Sequence, residues 1–531
     1  MAVFAFAAAG HADELSDIQA QSKQLRDQNQ MLMKRLSDLE KRQEKLEKQP
    51  AQAAAPRINP TEAMAADLPY KAYVKAPAPV NDDICWKGVC VYGAFDMGVG
   101  YQQHGSAYSP FSANPNAYVL QKQSTGSYFG VTGNGMSVSF IGLKGKQEIA
   151  DGLYGIFNLQ AAFNPASGMG DNGLASIAQN NGLTTNLSAQ NAYGDSSRNG
   201  QMFATAAYFG IDSPTYGVFT MGRQSSLIRD NVLNYDPIGG SQAFSPIGAS
   251  GNIAGGGDTE QGILDNSYKY AVGIGPVRLA ALAALRNGNN SGVGNVFLGD
   301  VGFDYMGWSI DFAGGKIYDA ISVGGPLSAA QVTAAVAQGI ATGAGQIVGT
   351  VSDNTVFQVG TKYTIGQWKF YGGYEYIKYQ NPNNPLGVGA VDQGFVLSAA
   401  PNNTNYTNNK ILQTVWVGAK YSVTRDLDIY GGYWHEWQNN FTSTAAAATG
   451  CAADQVSSSQ CAGQLDAVSL VVDWRFAKHI DLYAGVMWLQ VANGLANGYA
   501  AAATNNLGAT NPLGPNKASS YDPTIGLRYQ F

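Results

Sequence analysis

Charge is scarce in this chain: only 13% of its 531 residues are Asp, Glu, Lys or Arg. The small imbalance is acidic, a formal net charge of -6, so a basic footprint for phosphates is missing and nucleic acid is not an expected partner. Long apolar runs are missing as well. No stretch approaches the roughly 18 apolar residues of a spanning helix, which excludes a helical membrane protein. Histidine is limited to His11, His104, His435 and His479. Of these, His435 sits in Trp434-His435-Glu436-Trp437, which lacks the second histidine of a His-Glu-x-x-His zinc helix and reads as part of an interfacial aromatic belt. The glycine runs 255–257 and 314–315 lack the Lys-Ser/Thr that completes a phosphate loop. Enzymatic activity, a metal site and a cofactor are therefore not expected.

Cysteine is sparse but patterned. Cys85 with Cys90 and Cys451 with Cys461 form two close pairs whose spacings do not match zinc-ligand pairs, and in an exported chain they read as two local disulfides. Export is suggested by the apolar stretch 3–9 followed by Gly10-His11-Ala12, a small-x-small cleavage site. The basic region that precedes such a stretch is missing, so the true translation start is expected upstream and residues 1–12 are read as the remnant of a signal peptide.

What the chain has in quantity is glycine, 65 residues, and tyrosine, 29, with apolar residues spread in alternation. Strands that face lipid on one side and water on the other require that pattern. From residue 89 onward the period is two: Val91, Gly93, Phe95, Met97, Val99 and Tyr101 share one face of the first strand, and Tyr92, Ala94 and Asp96 the other. Strands are predicted near 89–102, 136–149, 153–163, 201–212, 217–224, 263–272, 277–286, 294–306, 308–318, 353–364, 368–379, 410–422, 427–438, 465–476, 480–492 and 518–531. Short turns such as Asp151-Gly152 and Met306-Gly307 alternate with long connections, as in barrels whose periplasmic turns are short and extracellular loops long. The expected fold is all-β, a 16-stranded antiparallel transmembrane β-barrel over 85–531; a soluble all-β protein is the rival.

Two further segments precede the barrel. Over 13–49 the chain turns rich in Gln, Lys, Glu and Leu, and Ile18, Leu25, Leu32, Leu39 and Leu46 recur every seventh residue as d positions, with Leu15 and Leu36 at a. Polar a residues Ser22, Asn29 and Gln43 restrict register and oligomeric state, so a short α-helical coiled coil about 50 Å long is predicted here, in the periplasm. Residues 50–84 are rich in Ala and Pro and read as a semi-extended linker.

The stretch 139–149, reading SFIGLKGKQEI, with Asp151-Gly152 after it, resembles the second strand and turn of the trimeric general porins of Gram-negative bacteria. Further matches are Ile156-Phe157-Asn158-Leu159, Ala207-Tyr208-Phe209-Gly210-Ile211, Met221-Gly222-Arg223-Gln224, Tyr235-Asp236-Pro237-Ile238-Gly239-Gly240 and the closing strand ending in Phe531. The resemblance implies a homotrimer in the outer membrane, in contact with lipid and lipopolysaccharide, that passes small hydrophilic solutes by diffusion. It also implies a third loop folded inward, with acids on the loop facing arginines on the wall. Here the chain departs from the family: Phe140, Thr205 or Ala206, and Ile263 stand where arginines are expected, and Gln160 where a glutamate is common. Candidate loop acids are Asp230, Asp236, Asp258 and Glu260, with Lys269 and Arg278 as opposing charge. Neutral replacements weaken a transverse field, so weak selectivity leaning toward cations is expected.

Parity places Asp96, Lys144, Lys146, Lys362, Lys369, Glu375, Lys420, Asp428, Asp473, Arg475 and Asp481 inside the lumen, while Arg223 shares parity with Phe219 and Met221 and turns inward only at a bulge. Two alternatives accompany the diffusion channel. One is a solute-specific channel with Trp434, Tyr430, Tyr371 and Tyr483 as stacking surfaces. The other is a tether from the outer membrane to peptidoglycan or a periplasmic partner through the coiled coil.

Overall fold

The computed structural model describes residues 84–103, 127–168, 170, 202–249, 262–285, 294–326, 347–385, 391–392, 395–396, 401–404, 406–443, 462–495 and 517–531, with isolated positions between 23 and 37. The chain divides into two units, 1–57 and 58–531. In the first, Lys23, Gln28, Gln30, Met31, Met33, Lys34 and Ser37 are helical, and all but Ser37 are exposed. The seam residues Leu15, Ile18, Leu25, Leu32, Leu36, Leu39 and Leu46 lie outside the described residues, as do Asp258, Glu260, Cys451 and Cys461.

The second unit is built of strands Ile84–Trp86 (β1), Val89–Gln102 (β2), Tyr128–Gly133 (β3), Phe140–Ala150 (β4), Leu153–Ala162 (β5), Ala206–Ser213 (β6) and Gly217–Ser225 (β7). Helix Leu227–Tyr235 (α1) and the helical turn Pro246–Ala249 (α2) follow. Strands Ile263–Ile274 (β8), Val277–Ala284 (β9), Val296–Tyr305 (β10), Trp308–Pro326 (β11), Ile347–Ile365 (β12) and Trp368–Gln380 (β13) come next. The last strands are Lys410–Ser422 (β14), Leu427–Gln438 (β15), Gly463–Ala477 (β16), Ile480–Asn493 (β17) and Lys517–Gln530 (β18).

Each strand from β4 onward pairs antiparallel with its successor, and β2 closes the ring by pairing with β18, with Asp96 opposite Arg528 and Val99 opposite Ile525. On its other side β2 pairs with both β3 and β4, which act as two halves of one stave, so the barrel has sixteen. Phe531 exchanges two backbone hydrogen bonds with Gly93, 2.8 and 3.0 Å, and completes the closing ladder. Closure leaves no open edge in lipid, where unpaired backbone groups are costly. The hairpin of β1 with β2 carries the Cys85–Cys90 disulfide across a directly paired position.

Burial follows the period of two. Along β16, Leu465, Ala467, Ser469, Val471 and Asp473 are buried inside the barrel, while Val468, Leu470, Val472 and Trp474 are exposed on the outer face. Phe95, Val99, Ile141, Leu143, Phe209, Ile211, Phe297, Val301, Phe312, Phe357, Ile525 and Leu527 extend that exposed apolar band around the ring. Such a band is stable only against hydrocarbon, and it disposes of the soluble alternative.

Strand two differs from its predicted form, a continuous run over 136–149. The buried Asp96 carboxylate accepts hydrogen bonds from the backbone N–H groups of Met136 and Ser137, both 2.8 Å, and Asp96 N–H donates to Ser139 Oγ at 2.9 Å. These bonds take the donors that a ladder would use and split the stave at 134–139. Strands β11 and β12 run longer than predicted, to Pro326 and from Ile347.

Candidate functional site

The segment after β7 leaves the barrel wall and enters the interior. Ser226 starts it as an N-cap, its hydroxyl accepting from Arg229 N–H at 3.1 Å. Leu227, Ile228, Asn231, Val232 and Tyr235 then form the buried face of α1, which packs against β9 to β13. Tyr235 is fully buried, with its hydroxyl 2.7 Å from Asp311 Oδ2, to which it donates, and 2.9 Å from Ser309 Oγ. Beyond α1 the chain crosses to the opposite part of the ring. Trp416 Nε1 on β14 donates to Tyr235 O and Trp434 Nε1 on β15 to Asp236 Oδ1, both 3.0 Å. Ser241 Oγ donates to Gly135 O at 2.7 Å, and Phe244 packs edge-on to Tyr483 of β17 with centroids 6.1 Å apart. Val232, Ile238, Ala243, Phe244 and Ile247 thus share one apolar cluster with Trp416, Trp434, Val471, Tyr483, Met487 and Leu489 of the wall.

The wall is prepared for this by glycine. A Cβ on Gly360 would stand 2.3 Å from Tyr235, and one on Gly418 would stand 2.4 Å from Pro237, so any larger residue at either position displaces the loop.

Around α1 the charges pair off. Asp230 forms an ion pair with Lys269 of β8. Arg278 of β9 pairs with Asp304 of β10 and, at 2.8 Å, with Asp311 of β11. Lys362 of β12 donates to Asn234 Oδ1 at 2.5 Å and lies over the Tyr235 ring. Asp300 lies within electrostatic reach of Arg278, Lys269, Asp230 and Asp311. Asp230, Lys269 and Arg278 thus lie around α1 together with Lys362, and Asp300, Asp304 and Asp311, which were not among the predicted residues, join them. Parity on β10 and β11 was the available signal, since all three lie opposite apolar faces.

Other candidates fall elsewhere. Asp236 is no free loop acid: it is 2% exposed, and its carboxylate accepts from Ile238 N–H at 3.0 Å, Gly240 N–H at 2.8 Å, Ser245 Oγ at 3.0 Å and the Trp434 indole. Burial pushes its carboxyl up to about 6 although all four donors oppose the rise. Lys420 and Arg475 converge on Asp428 at 3.4 and 2.9 Å, near the short turn 423–426, with Asp473 3.5 Å from Arg475. Arg528 pairs with Asp481 at 2.9 Å, and Tyr483 donates to Asp96 Oδ1 at 2.5 Å. Glu375 is fully buried in a ladder row between Gln358 and Thr414, and Lys369 lies across the ladder from Lys420. Arg223 follows a bulge at Gly222; it is buried, donates to Ala204 O and pairs with Asp265 at 2.7 Å. Ile263, one of the neutral replacements, is buried at the start of β8.

Phe140, Lys144 and Lys146 on β4 and Gln160 on β5 share the inner face of one wall, with Tyr92 of β2 and Asn158 of β5 beside them. Among the described residues no group of His, Cys, Asp and Glu is arranged to hold a metal ion.

Residues 60–494 match the family model described as Gram-negative porin. An outer membrane porin protein of Bordetella pertussis is 24% identical over 160 residues, 30% of this chain, and the chain spans 34% of the length of that curated relative. Among solved structures, the anion-selective porin from Comamonas acidovorans is 14% identical with a TM-score of 0.47, the match covering 83% of this chain and 99% of that one. OmpT of Vibrio cholerae is 14% identical with a TM-score of 0.49, covering 85% and 100%. The family match spans most of the chain and coincides with a closed antiparallel barrel whose outer face is apolar. The chain belongs to the Gram-negative porins, barrel channels of the outer membrane and not enzymes.

Proposed function

We propose that the barrel is a water-filled channel for passive diffusion of small hydrophilic solutes, assembled as a homotrimer and narrowed by the loop that carries α1. The observation that carries this reading is the docking of 227–249 inside the ring: a segment held by buried indole, tyrosine and apolar contacts occupies lumen without being free to leave it. A fixed obstruction sets a size limit, whereas a loose loop would not. Because Asp230 is paired with Lys269, one of the loop acids that favoured cation preference is neutralised locally, which supports weak ion selectivity.

Of the four rings named for a dedicated solute site, Trp434 and Tyr483 are fully buried against the loop, which leaves Tyr430 and Tyr371 to carry that reading. The tether reading rests on the heptad segment and is compatible with the channel.

Single-channel recording in a planar bilayer tests the proposal. Stable conductance that closes in three equal steps is expected; closure in single isolated steps would remove the trimer, and a silent membrane with folded protein would remove the channel.

A further inference from the structure

The part of the inner wall formed by β2, β4, β5 and β6 has a chemistry of its own. Ile141 and Leu143 of β4 are exposed on the outer face at 53% and 36%, so by the strand period Phe140, Lys144 and Lys146 project inward. Tyr92 meets Phe140 edge to face, centroids 5.4 Å apart and planes at 66°. Lys144 Nζ lies 4.9 Å from the Tyr92 centroid, and the Tyr92 hydroxyl donates to Asn158 Oδ1 at 2.6 Å. Between them Gly142 leaves the wall bare: a Cβ there would stand 2.4 Å from Tyr92 Cε1. The ring is therefore laid against the backbone and fixed on three sides by Phe140, Lys144 and Asn158. One step further toward the short-turn end, Lys146 Nζ lies 4.5 Å from the Tyr154 centroid and pairs with Asp212 at 2.6 Å.

We propose that this wall is a transit site for aromatic carboxylates. The proposal rests on the channel reading above and names the solute class that this part of the channel holds. A carboxylate finds an ammonium in Lys144, and a planar ring attached to it reaches the edges and faces of Tyr92 and Phe140, which stand within one residue step of that ammonium. Gln160, in the same ladder row as Gly142, adds an amide beside them. Aromatic pairs prefer such offset or edge-on contacts and gain from them beyond the area they bury. Inorganic anions would use the lysine and ignore the rings. Lys146 is already paired with Asp212, so the charge that disfavours cations beside the rings is that of Lys144. Sugars bind with acids and amides around an aromatic platform, whereas here a lysine ammonium stands over the ring. Preorganisation matters too, because Tyr92 has already lost the rotamer freedom that binding would otherwise cost.

The test is block of potassium chloride current by benzoate compared with cyclohexanecarboxylate, which carries the same charge on a non-aromatic ring, using the full chain in a planar bilayer. Benzoate is expected to reach half-block at about three- to tenfold lower concentration, the range that one or two aromatic contacts supply. Tyr92→Leu and Phe140→Leu should each bring the two acids closer together. Lys144→Gln should raise both half-blocking concentrations while preserving their ratio. A wild-type ratio near one overturns the proposal without recourse to any variant, and so does a ratio that survives in the double Tyr92→Leu/Phe140→Leu protein shown to be folded by its heat-dependent gel mobility. A protein that carries no chloride current at all would instead overturn the channel reading beneath it.

Discussion

Asp236 shows how one carboxylate can lock a loop and make the lock depend on pH. Docked, it is buried and its carboxyl is pushed up to about 6. On an undocked loop it would titrate near 3.9. Between those values the docked state keeps a proton that the undocked state has lost, so docking is strongest below about pH 4 and weakens as pH rises through 6, by at most about 3 kcal/mol. Ile238 and Gly240 donate their amides to this carboxylate, so their hydrogen exchange, corrected for intrinsic base catalysis, is expected to accelerate between pH 4 and 6. A corrected rate that stays level across that interval contradicts the argument. A second residue-scale outcome concerns Lys269. Its replacement by Met removes the partner of Asp230, leaves that loop acid without its counter-charge and should move the reversal potential in a salt gradient toward cations. Parity in the sequence was sufficient to put Lys144, Lys362 and Arg475 on the same side as Asp96. It could not separate a side chain in water from one buried under another element, and Asp96, Glu375 and Asp236 are all buried. That distinction depends on what the loop covers, which is a long-range fact that a strand period does not contain.

Among the elements, the strands were legible and the loop path was not. Most strand ends agree within a few residues because lipid on one side forces alternation and the short turns interrupt it sharply. Strand two failed for a reason outside itself, the capture of backbone donors by Asp96 on the neighbouring stave. The glycines that matter for the loop are Gly360 and Gly418, where a side chain would collide with Tyr235 and Pro237. The docking itself rests on two indoles. Removing either Trp416 or Trp434 by substitution with Ala deletes a fully buried ring and its hydrogen bond, a loss of about 3 to 5 kcal/mol at a well-packed site. The barrel ladder is unaffected by either change, so both variants should fold, and their open-channel current should be noisier and larger as the loop samples undocked positions. Current indistinguishable from wild type in both proteins would mean that the loop is held by other contacts.

At the scale of the whole molecule, the heptad segment has to be reconciled with a barrel that needs no help to close. Polar residues Ser22, Asn29 and Gln43 at a positions weaken an isolated coiled coil. In the proposed trimer the arithmetic would change. A linker such as 50–84 would hold three copies at roughly millimolar effective concentration. On the proposed trimer reading, the coil would form because the barrels have assembled and would add its own association energy to theirs. Two outcomes follow from that order of events. A peptide of residues 13–49 should remain monomeric at tens of micromolar by sedimentation, while deletion of the same residues from the full protein should lower the temperature at which trimers dissociate on a gel without altering the conductance of each step. Unchanged trimer stability would assign the segment to a partner outside the trimer, and the peptidoglycan tether would then be the reading to pursue. A changed step conductance would mean that the segment reaches the pore, which neither reading allows.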